Sequence, residues 1–320
     1  MAVDMDFLVF SGNSNMALAE GIVKKLGMRL GYATVKKFSD GEIYTKITES
    51  VRGRDVFIVQ STNSPADVHL MEMMIMMDAL TRASANTITG IMPYFGYGRQ
   101  DRTVEPRMAI TAKLVANLLT IAGMDRLVTM DLHAGQIQGF FDIPVDNLYA
   151  TPIFAKYFFD QKIYGDDFVV VSPDAGGVIR ARVYAKILEC SIAFIDKRRT
   201  GPNVAKAMNV VGSVKGKHVL IIDDIVDTAG TLIEAAKVIL DKGALSVRTA
   251  ITHGVLSGPA IERILESELK EVIITNSIEV TKDKLSISKI KILGVDDLFA
   301  EAIIRIHKKE SITSLFAENE

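Results

Sequence analysis

Along most of the chain, short apolar runs rich in valine and isoleucine alternate with longer segments in which apolar residues return every three or four positions. The first pattern suits strands buried on both faces of a parallel sheet, the second helices with one face on a core. Phe7 to Phe10 form such a run, followed by Ser11-Gly-Asn-Ser-Asn15 and a helix over about Met16 to Leu26. Further strands are predicted at Val56 to Gln60, Ile88 to Met92, Leu127 to Asp131, Phe168 to Ser172, Ile192 to Ile195, Val219 to Ile222, Val247 to Ile251, Val272 to Thr275 and Ile290 to Leu293. Helices are predicted from the Ser61-Thr-Asn-Ser-Pro65 cap to about Ala83, near 152–162 after Thr151-Pro152, over 178–188, over Leu232 to Leu240, and from about Asp296 to His307. Asp40-Gly41 marks a tight turn before the alternating stretch that begins at Ile43. Strand, loop and helix in series predict an α/β protein on mainly parallel sheets.

The order also repeats. Strand 56–60 with its loop and long helix has a counterpart in strand 168–172, Pro173-Asp-Ala-Gly-Gly177 and helix 178–188, and 127–135 reads as a shortened version of 220–230. Two similar α/β domains follow, 1–150 and 151–320, with the last ~15 residues expected to return to the first. A chain of 320 residues, 48% hydrophobic, supplies enough for two cores. Thirty-seven basic against 39 acidic residues leave a net charge of −2, so no global field favours nucleic acid or an anionic membrane, and any anion must be bound locally. The single cysteine, Cys190, excludes an intrachain disulfide and a cysteine-based zinc site. With an acidic N-terminus and no apolar run near membrane-spanning length, a cytoplasmic protein is expected. The methionines at 71, 73, 74, 76 and 77 read as core or subunit packing.

The densest chemistry lies in Val219-Leu-Ile-Ile-Asp-Asp-Ile-Val-Asp-Thr-Ala-Gly-Thr231. A strand leads through two adjacent carboxylates, Asp223 and Asp224, into Asp227-Thr-Ala-Gly-Thr231 and a helix. Backbone N–H groups at a helix start, with Gly230 allowing close approach and Thr228 and Thr231 adding hydroxyls, make a phosphate cradle. No Gly-Lys-Ser/Thr follows, which excludes a Walker A loop. Two carboxylates there would repel a phosphate unless they face sugar hydroxyls or a metal ion, and a ribose phosphate satisfies both ends. A strand-to-helix turn can also carry Asp, Thr and Gly simply as caps.

Taken whole, the thirteen-residue string closely resembles the phosphoribosyl-pyrophosphate loop shared by type I phosphoribosyltransferases and the ribose-phosphate pyrophosphokinase family. Other segments resemble the second group. Phe38-Ser-Asp-Gly-Glu42 resembles its adenine-binding hairpin, which implies Phe38 stacked on the base and Asp40 and Glu42 accepting from the amino edge. Tyr97-Gly-Arg-Gln-Asp-Arg102 resembles its Tyr-Ala-Arg-Gln-Asp motif and implies Arg99 and Gln100 as ATP contacts. Asp131-Leu-His133 is similar to the segment that holds the magnesium of MgATP, which implies His133 and Asp131 as metal-associated residues. Ser172-Pro-Asp-Ala-Gly-Gly177 resembles its pyrophosphate-contacting loop, with Asp174 the second magnesium-associated carboxylate. Asp196-Lys-Arg-Arg-Thr-Gly-Pro202 is a charge run of the kind that is usually solvated, but Lys197 and Arg199 match the family's catalytic Lys-x-Arg pair.

The resemblance, which runs from about residue 6 to 316, implies two phosphoribosyltransferase-like domains, the first with the ATP base site and subunit contacts. The implied reaction transfers the pyrophosphoryl group of MgATP to the anomeric hydroxyl of ribose 5-phosphate, giving 5-phosphoribosyl 1-pyrophosphate and AMP. Arg199, Asp223, Asp224 and the loop Asp227, Thr228, Ala229, Gly230 and Thr231 would hold ribose 5-phosphate. Ser50, Arg52, Ser84, Ser311, Thr313 and Ser314 match an anion site for activating orthophosphate, and a homohexamer of dimers is implied. Glu105 and Pro106 depart from the more basic loop usual in relatives, which implies weak allosteric inhibition by ADP. A phosphoribosyltransferase would need only one such domain and no adenine hairpin; a non-catalytic paralogue would lose active-site residues that are present here.

Overall fold

The computed structural model describes residues 6–198, 207–281 and 287–315. The chain divides into two units: residues up to Tyr149 with Ser277–Glu279 and Gly294–Leu315, and Ala150–Asn276 with Val280–Leu293.

In the first unit, β1 (Phe7–Ser11) leads to α1 (Met16–Lys25), β2 (Ala33–Lys37), β3 (Ile43–Ile47), β4 (Asp55–Val59), α2 (Ala66–Arg82), β5 (Thr87–Met92), α3 (Thr111–Ile121), β6 (Arg126–Met130) and β7 (Val145–Leu148). Strands β1, β4, β5, β6 and β7 lie side by side in that order, all parallel. Most positions of β1, β4, β5 and β6 are buried, as a sheet covered on both faces requires. Hairpin β2–β3 is a separate antiparallel pair resting on α2. Its turn holds Gly41 at φ 96°, which the missing Cβ permits. Met73, Met76 and Met77 are fully buried among Phe10, Ile58 and Leu127, whereas Met71 is exposed.

The final helix, here α8 (Asp296–Lys308), belongs to this unit and packs on α1, where Gly21 gives it room. The chain therefore returns at Gly294, earlier than the last ~15 residues, because the apolar face of Phe299, Ala300, Ala302 and Ile303 is buried. His307 Nδ1 lies 3.1 Å from Asp55 Oδ2 at the start of β4. Burial works to raise Asp55, but hydrogen bonds from Asn86, Thr87 and His307 prevail and hold its carboxyl below the ordinary range.

The second unit runs α4 (Thr151–Asp160), β8 (Phe168–Ser172), α5 (Val178–Ile187), β9 (Ser191–Arg198), β10 (Ala207–Val211), β11 (His218–Val226), α6 (Gly230–Asp241), β12 (Ser246–Gly254), α7 (Ala260–Glu266), β13 (Glu271–Thr275) and β14 (Ile290–Leu293). The sheet order is β10-β9-β8-β11-β12-β13-β14, parallel except for β10 against β9. From β8 the chain steps to β9 and β10 on one side, then resumes with β11 on the other. The carboxyl ends of β8 and β11 thus flank a reversal of strand order, where open α/β sheets form their ligand crevice.

The α/β class with two mainly parallel sheets flanked by helices is observed as expected. Three details differ. Strand β11 continues to Val226, because β12 pairs with it as far as Gly254 although β8 leaves it after Ile221. Strands β7 and β10 and helix α3 were not predicted; α3 buries Ala112, Val115, Ala116 and Leu119 on one face, a readable helical spacing. In chain and sheet order β8-β11-β12-β13-β14 matches β1-β4-β5-β6-β7, so β8 corresponds to β1 rather than to β4, and β11 to β4 rather than to β6.

Candidate functional site

In the second unit the two aspartates stand near the carboxyl end of β11, beyond the point where β8 stops covering one edge. Asp224 is buried and Asp223 half-buried. Arg180, from the first turn of α5, places Nη1 3.0 Å from Asp224 Oδ1 and 3.6 Å from Asp223 Oδ1. A cation in a helix's first turn works against the macrodipole, so the carboxylates account for its position. Burial first, then the neighbouring Asp224 carboxylate, pushes Asp223 up to about 8, with Arg180 pulling the other way. Near neutral pH the pair therefore holds a proton. Magnesium or the hydroxyl donors of a sugar can take that proton's place.

The chain then turns sharply. Ala229 adopts the left-handed conformation at φ 59° immediately before Gly230 opens α6. First-turn N–H groups have no carbonyl four residues back, and the helix dipole adds positive potential there. Thr228 and Thr231 are exposed at this corner. Asp227 accepts a hydrogen bond from Ser257 Oγ, and its backbone carbonyl accepts from Ser257 N at 3.1 Å.

Across the switch point, the β8 loop carries Asp174 in an exposed position. One carboxylate oxygen accepts from Gly177 N at 2.9 Å, so Asp174 is tied into the turn that leads to α5. Lys197 lies on β9 opposite Met208 of β10. Arg199 lies outside the described residues, as do the side chains of Lys197 and Ser314.

In the first unit, the loops after β5 and β6 come together. Gly96 N donates to Thr62 Oγ1 at 2.7 Å, and a Cβ on Gly96 would stand 2.1 Å from the Thr62 carbonyl oxygen, so glycine is required. A Cβ on Gly98 would sit in ordinary contact, 3.7 Å, with the His133 Cβ. Gln136 Nε2 donates to Asp101 Oδ2 at 2.6 Å, which ties the two loops. Arg99, Gln100 and His133 are all exposed on this surface, and Gln100 accepts from Thr111 Oγ1 at 2.6 Å. Asp131, buried at φ 40°, closes the end of β6.

Phe38, half exposed, tops the β2–β3 hairpin with its ring edge-on to Tyr44 at 5.3 Å. Asp40 Oδ1 accepts from Glu42 N at 3.1 Å within the same turn. This hairpin rests on α2, the helix that follows β4. Of the anion-site residues, Ser50 and Arg52 are exposed and the Ser84 carbonyl accepts from Gly53 N at 2.8 Å, so these turns adjoin. Ser311 and Thr313 are exposed beyond α8, where Thr313 N donates to Ser311 Oγ at 3.3 Å. Glu105 is exposed.

Comparison with known proteins shows the family. The family model for the N-terminal domain of ribose phosphate pyrophosphokinase matches residues 7–123, and that for the phosphoribosyl synthetase-associated domain matches residues 198–317. The ribose-phosphate pyrophosphokinase of Fusobacterium nucleatum is 56% identical over 308 residues, 96% of this chain and 97% of its own. The ribose-phosphate pyrophosphokinase of Agrobacterium fabrum is 55% identical over 96% of this chain and 99% of its own. The chain belongs to the ribose-phosphate pyrophosphokinase family. The crystal structure of phosphoribosylpyrophosphate synthetase from Mycobacterium smegmatis superimposes with a TM-score of 0.89 at 40% identity, covering 95% of this chain and 99% of that one.

A ribose-phosphate pyrophosphokinase needs magnesium with its ATP, and the donor set fits that ion. Among the described residues no group of three or more His, Cys, Asp or Glu side chains gathers into a cage. Magnesium keeps several waters and is held by one or two carboxylates plus substrate phosphates, so an exposed carboxylate such as Asp174 suits it. The sequence alone does not single out Arg180, Tyr44, Ser257 or Arg263. Arg180 carried a signal, a cation in the first helical turn beside a glycine loop; the others become significant only through the fold. Among the described residues no helix is long and apolar enough to cross a membrane.

Proposed function

We propose that this chain transfers the diphosphoryl group of MgATP to the anomeric hydroxyl of ribose 5-phosphate, with sugar phosphate held by the second unit and ATP by the first. The observation that carries the reading is the corner at 223–231: an acidic, partly buried lip that holds a proton, followed within a few residues by the opening turn of a helix. The lip takes hydroxyl donors and the turn takes an anion, the two ends of a ribose phosphate. Asp227, Thr228, Ala229, Gly230 and Thr231 cradle the 5-phosphate. Asp223 and Asp224 fix the ribose hydroxyls directly or through magnesium.

On the ATP side, Arg99 and Gln100 contact the nucleotide, while Phe38 stacks on adenine and Asp40 and Glu42 accept from its amino group. Asp131, His133 and Asp174 associate with magnesium, which, when bound, neutralises phosphate charge and aligns the transferred group. The anomeric oxygen forms a bond to the β-phosphorus, the bond from that phosphorus to the α-β bridging oxygen breaks, AMP leaves with that oxygen, and the hydroxyl proton passes to solvent. Lys197 and Arg199 meet the charge that develops on the transferred group. Ser50, Arg52, Ser84, Ser311, Thr313 and Ser314 bind orthophosphate as an activator, in a homohexamer assembled from dimers in the cytoplasm.

Calorimetric titration with ribose 5-phosphate tests the carrying observation. Asp223→Ala and Asp224→Ala are expected to weaken binding at least tenfold, the scale of one lost charged hydrogen bond at about 1.5 kcal/mol or more. Binding equal to wild type in both variants refutes the assignment. Lys197→Ala and Arg199→Ala should instead lower kcat roughly a hundredfold or more, about 3 kcal/mol, with ATP affinity retained.

A further inference from the structure

The 227–231 corner does not stand by itself. Three consecutive carbonyls along it are held by one segment, the stretch that leaves β12 and forms α7. Leu256 N donates to the Val226 carbonyl at 3.1 Å, Ser257 N to the Asp227 carbonyl at 3.1 Å, and Arg263 Nη1 to the Thr228 carbonyl at 3.0 Å. Ser257 Oγ donates to the Asp227 side chain as well.

A trans peptide is planar, and its C=O and N–H point in opposite directions. Holding the carbonyls of Val226, Asp227 and Thr228 on the 256–263 side therefore aims the amides of Asp227, Thr228 and Ala229 the other way. Successive amides turned to one side, with a left-handed residue such as Ala229 among them, form a concavity for an anion. The Arg263 guanidinium also backs the corner: a Cβ on Gly230 would stand 3.2 Å from its Nη1. Helix α7 is anchored in turn, since Lys289 Nζ donates to the carbonyls of Leu265 at 2.8 Å and Ser267 at 2.6 Å. Capping those carbonyls with a cation fixes the end of the helix that delivers Arg263.

We propose that Ser257 and Arg263 are positioning residues for the 5-phosphate of ribose 5-phosphate. They act through the backbone of residues 226–229 and do not touch the transferred group. The proposal rests on the 227–231 corner being the sugar-phosphate site. Arg263 adds a second property, a fixed positive charge behind the cradle that a neutral donor cannot supply.

Initial rates and calorimetry on the full chain distinguish this from simple structural support. Arg263→Ala is expected to raise KM and Kd for ribose 5-phosphate about tenfold, equivalent to about 1.4 kcal/mol. KM for ATP, and kcat at saturating ribose 5-phosphate, should stay within about twofold, the pattern of lost ground-state binding. Arg263→Lys restores most of the loss, because lysine keeps a cationic donor, whereas Arg263→Gln restores less. Ser257→Ala shows the same selective rise, about threefold, smaller than that of Arg263→Ala because the variant keeps the bond from Ser257 N to the Asp227 carbonyl. Should Arg263→Ala fail to fold, Arg263→Gln and Ser257→Ala carry the test. An unchanged KM for ribose 5-phosphate in those variants, or an equal rise for both substrates, overturns the proposal. A wild-type chain that does not bind ribose 5-phosphate at all instead overturns the site assignment.

Discussion

Asp223 shows how far one residue's ionisation depends on its neighbours. Its carboxyl titrates near 8 in the folded chain, against ~3.9 for an unfolded aspartate. Between those values the folded state binds a proton that the unfolded state has released, so stability must fall as pH rises through that window and level off above it. Without magnesium or substrate, the melting temperature should decline between about pH 6 and 8.5, and Asp223→Asn should flatten that decline. A wild-type chain whose melting temperature rises over that range, or an Asn variant with the same slope, contradicts the burial and pairing described. Both aspartates could be named from sequence because adjacent carboxylates after an apolar strand are rare without a donor to meet. Arg180 could not be paired with them, since α5 and β11 are separated in sequence by two further strands and meet only through the order β9-β8-β11.

Elements deliver these residues through a few tight approaches. The loop after β5 is pinned where Gly96 meets the carbonyl of Thr62, a backbone atom that cannot move aside as a side-chain tip can. Gly96→Ala should therefore cost about 2 kcal/mol or more of stability and shift Arg99 and Gln100. The expected readings are a lower melting temperature and a raised KM for ATP with ribose 5-phosphate binding retained; an unaltered KM for ATP would separate the loop from the nucleotide. Strand and helix existence was legible wherever a run of β-branched residues adjoined a glycine or proline signal, as at β8 and β11. The end of β11 was not, because Asp223 and Asp224 look like a loop until β12 is known to continue beside them. The bonds from the β12–α7 turn to residues 226 and 227 depend on parallel pairing that no local pattern records.

At the scale of the molecule, the candidate loops 97–102, 131–133, 172–177 and 227–231 follow the carboxyl ends of parallel strands, in the second unit at the reversal between β8 and β11. The count of two domains followed from repeated strand-loop-helix order. The return of α8 to the first unit was less visible, because its apolar face fits any core of similar shape and only the fold selects α1. Family membership at 56% identity over nearly the whole chain joins this architecture to one reaction, in which two phosphoryl groups leave ATP together. The most direct test is the nucleotide product of the full-length chain supplied with ATP, magnesium and ribose 5-phosphate. The account predicts AMP, formed in equal amount to 5-phosphoribosyl 1-pyrophosphate and absent when ribose 5-phosphate is withheld. Formation of ADP in its place, or AMP released at the same rate without the sugar phosphate, would contradict it.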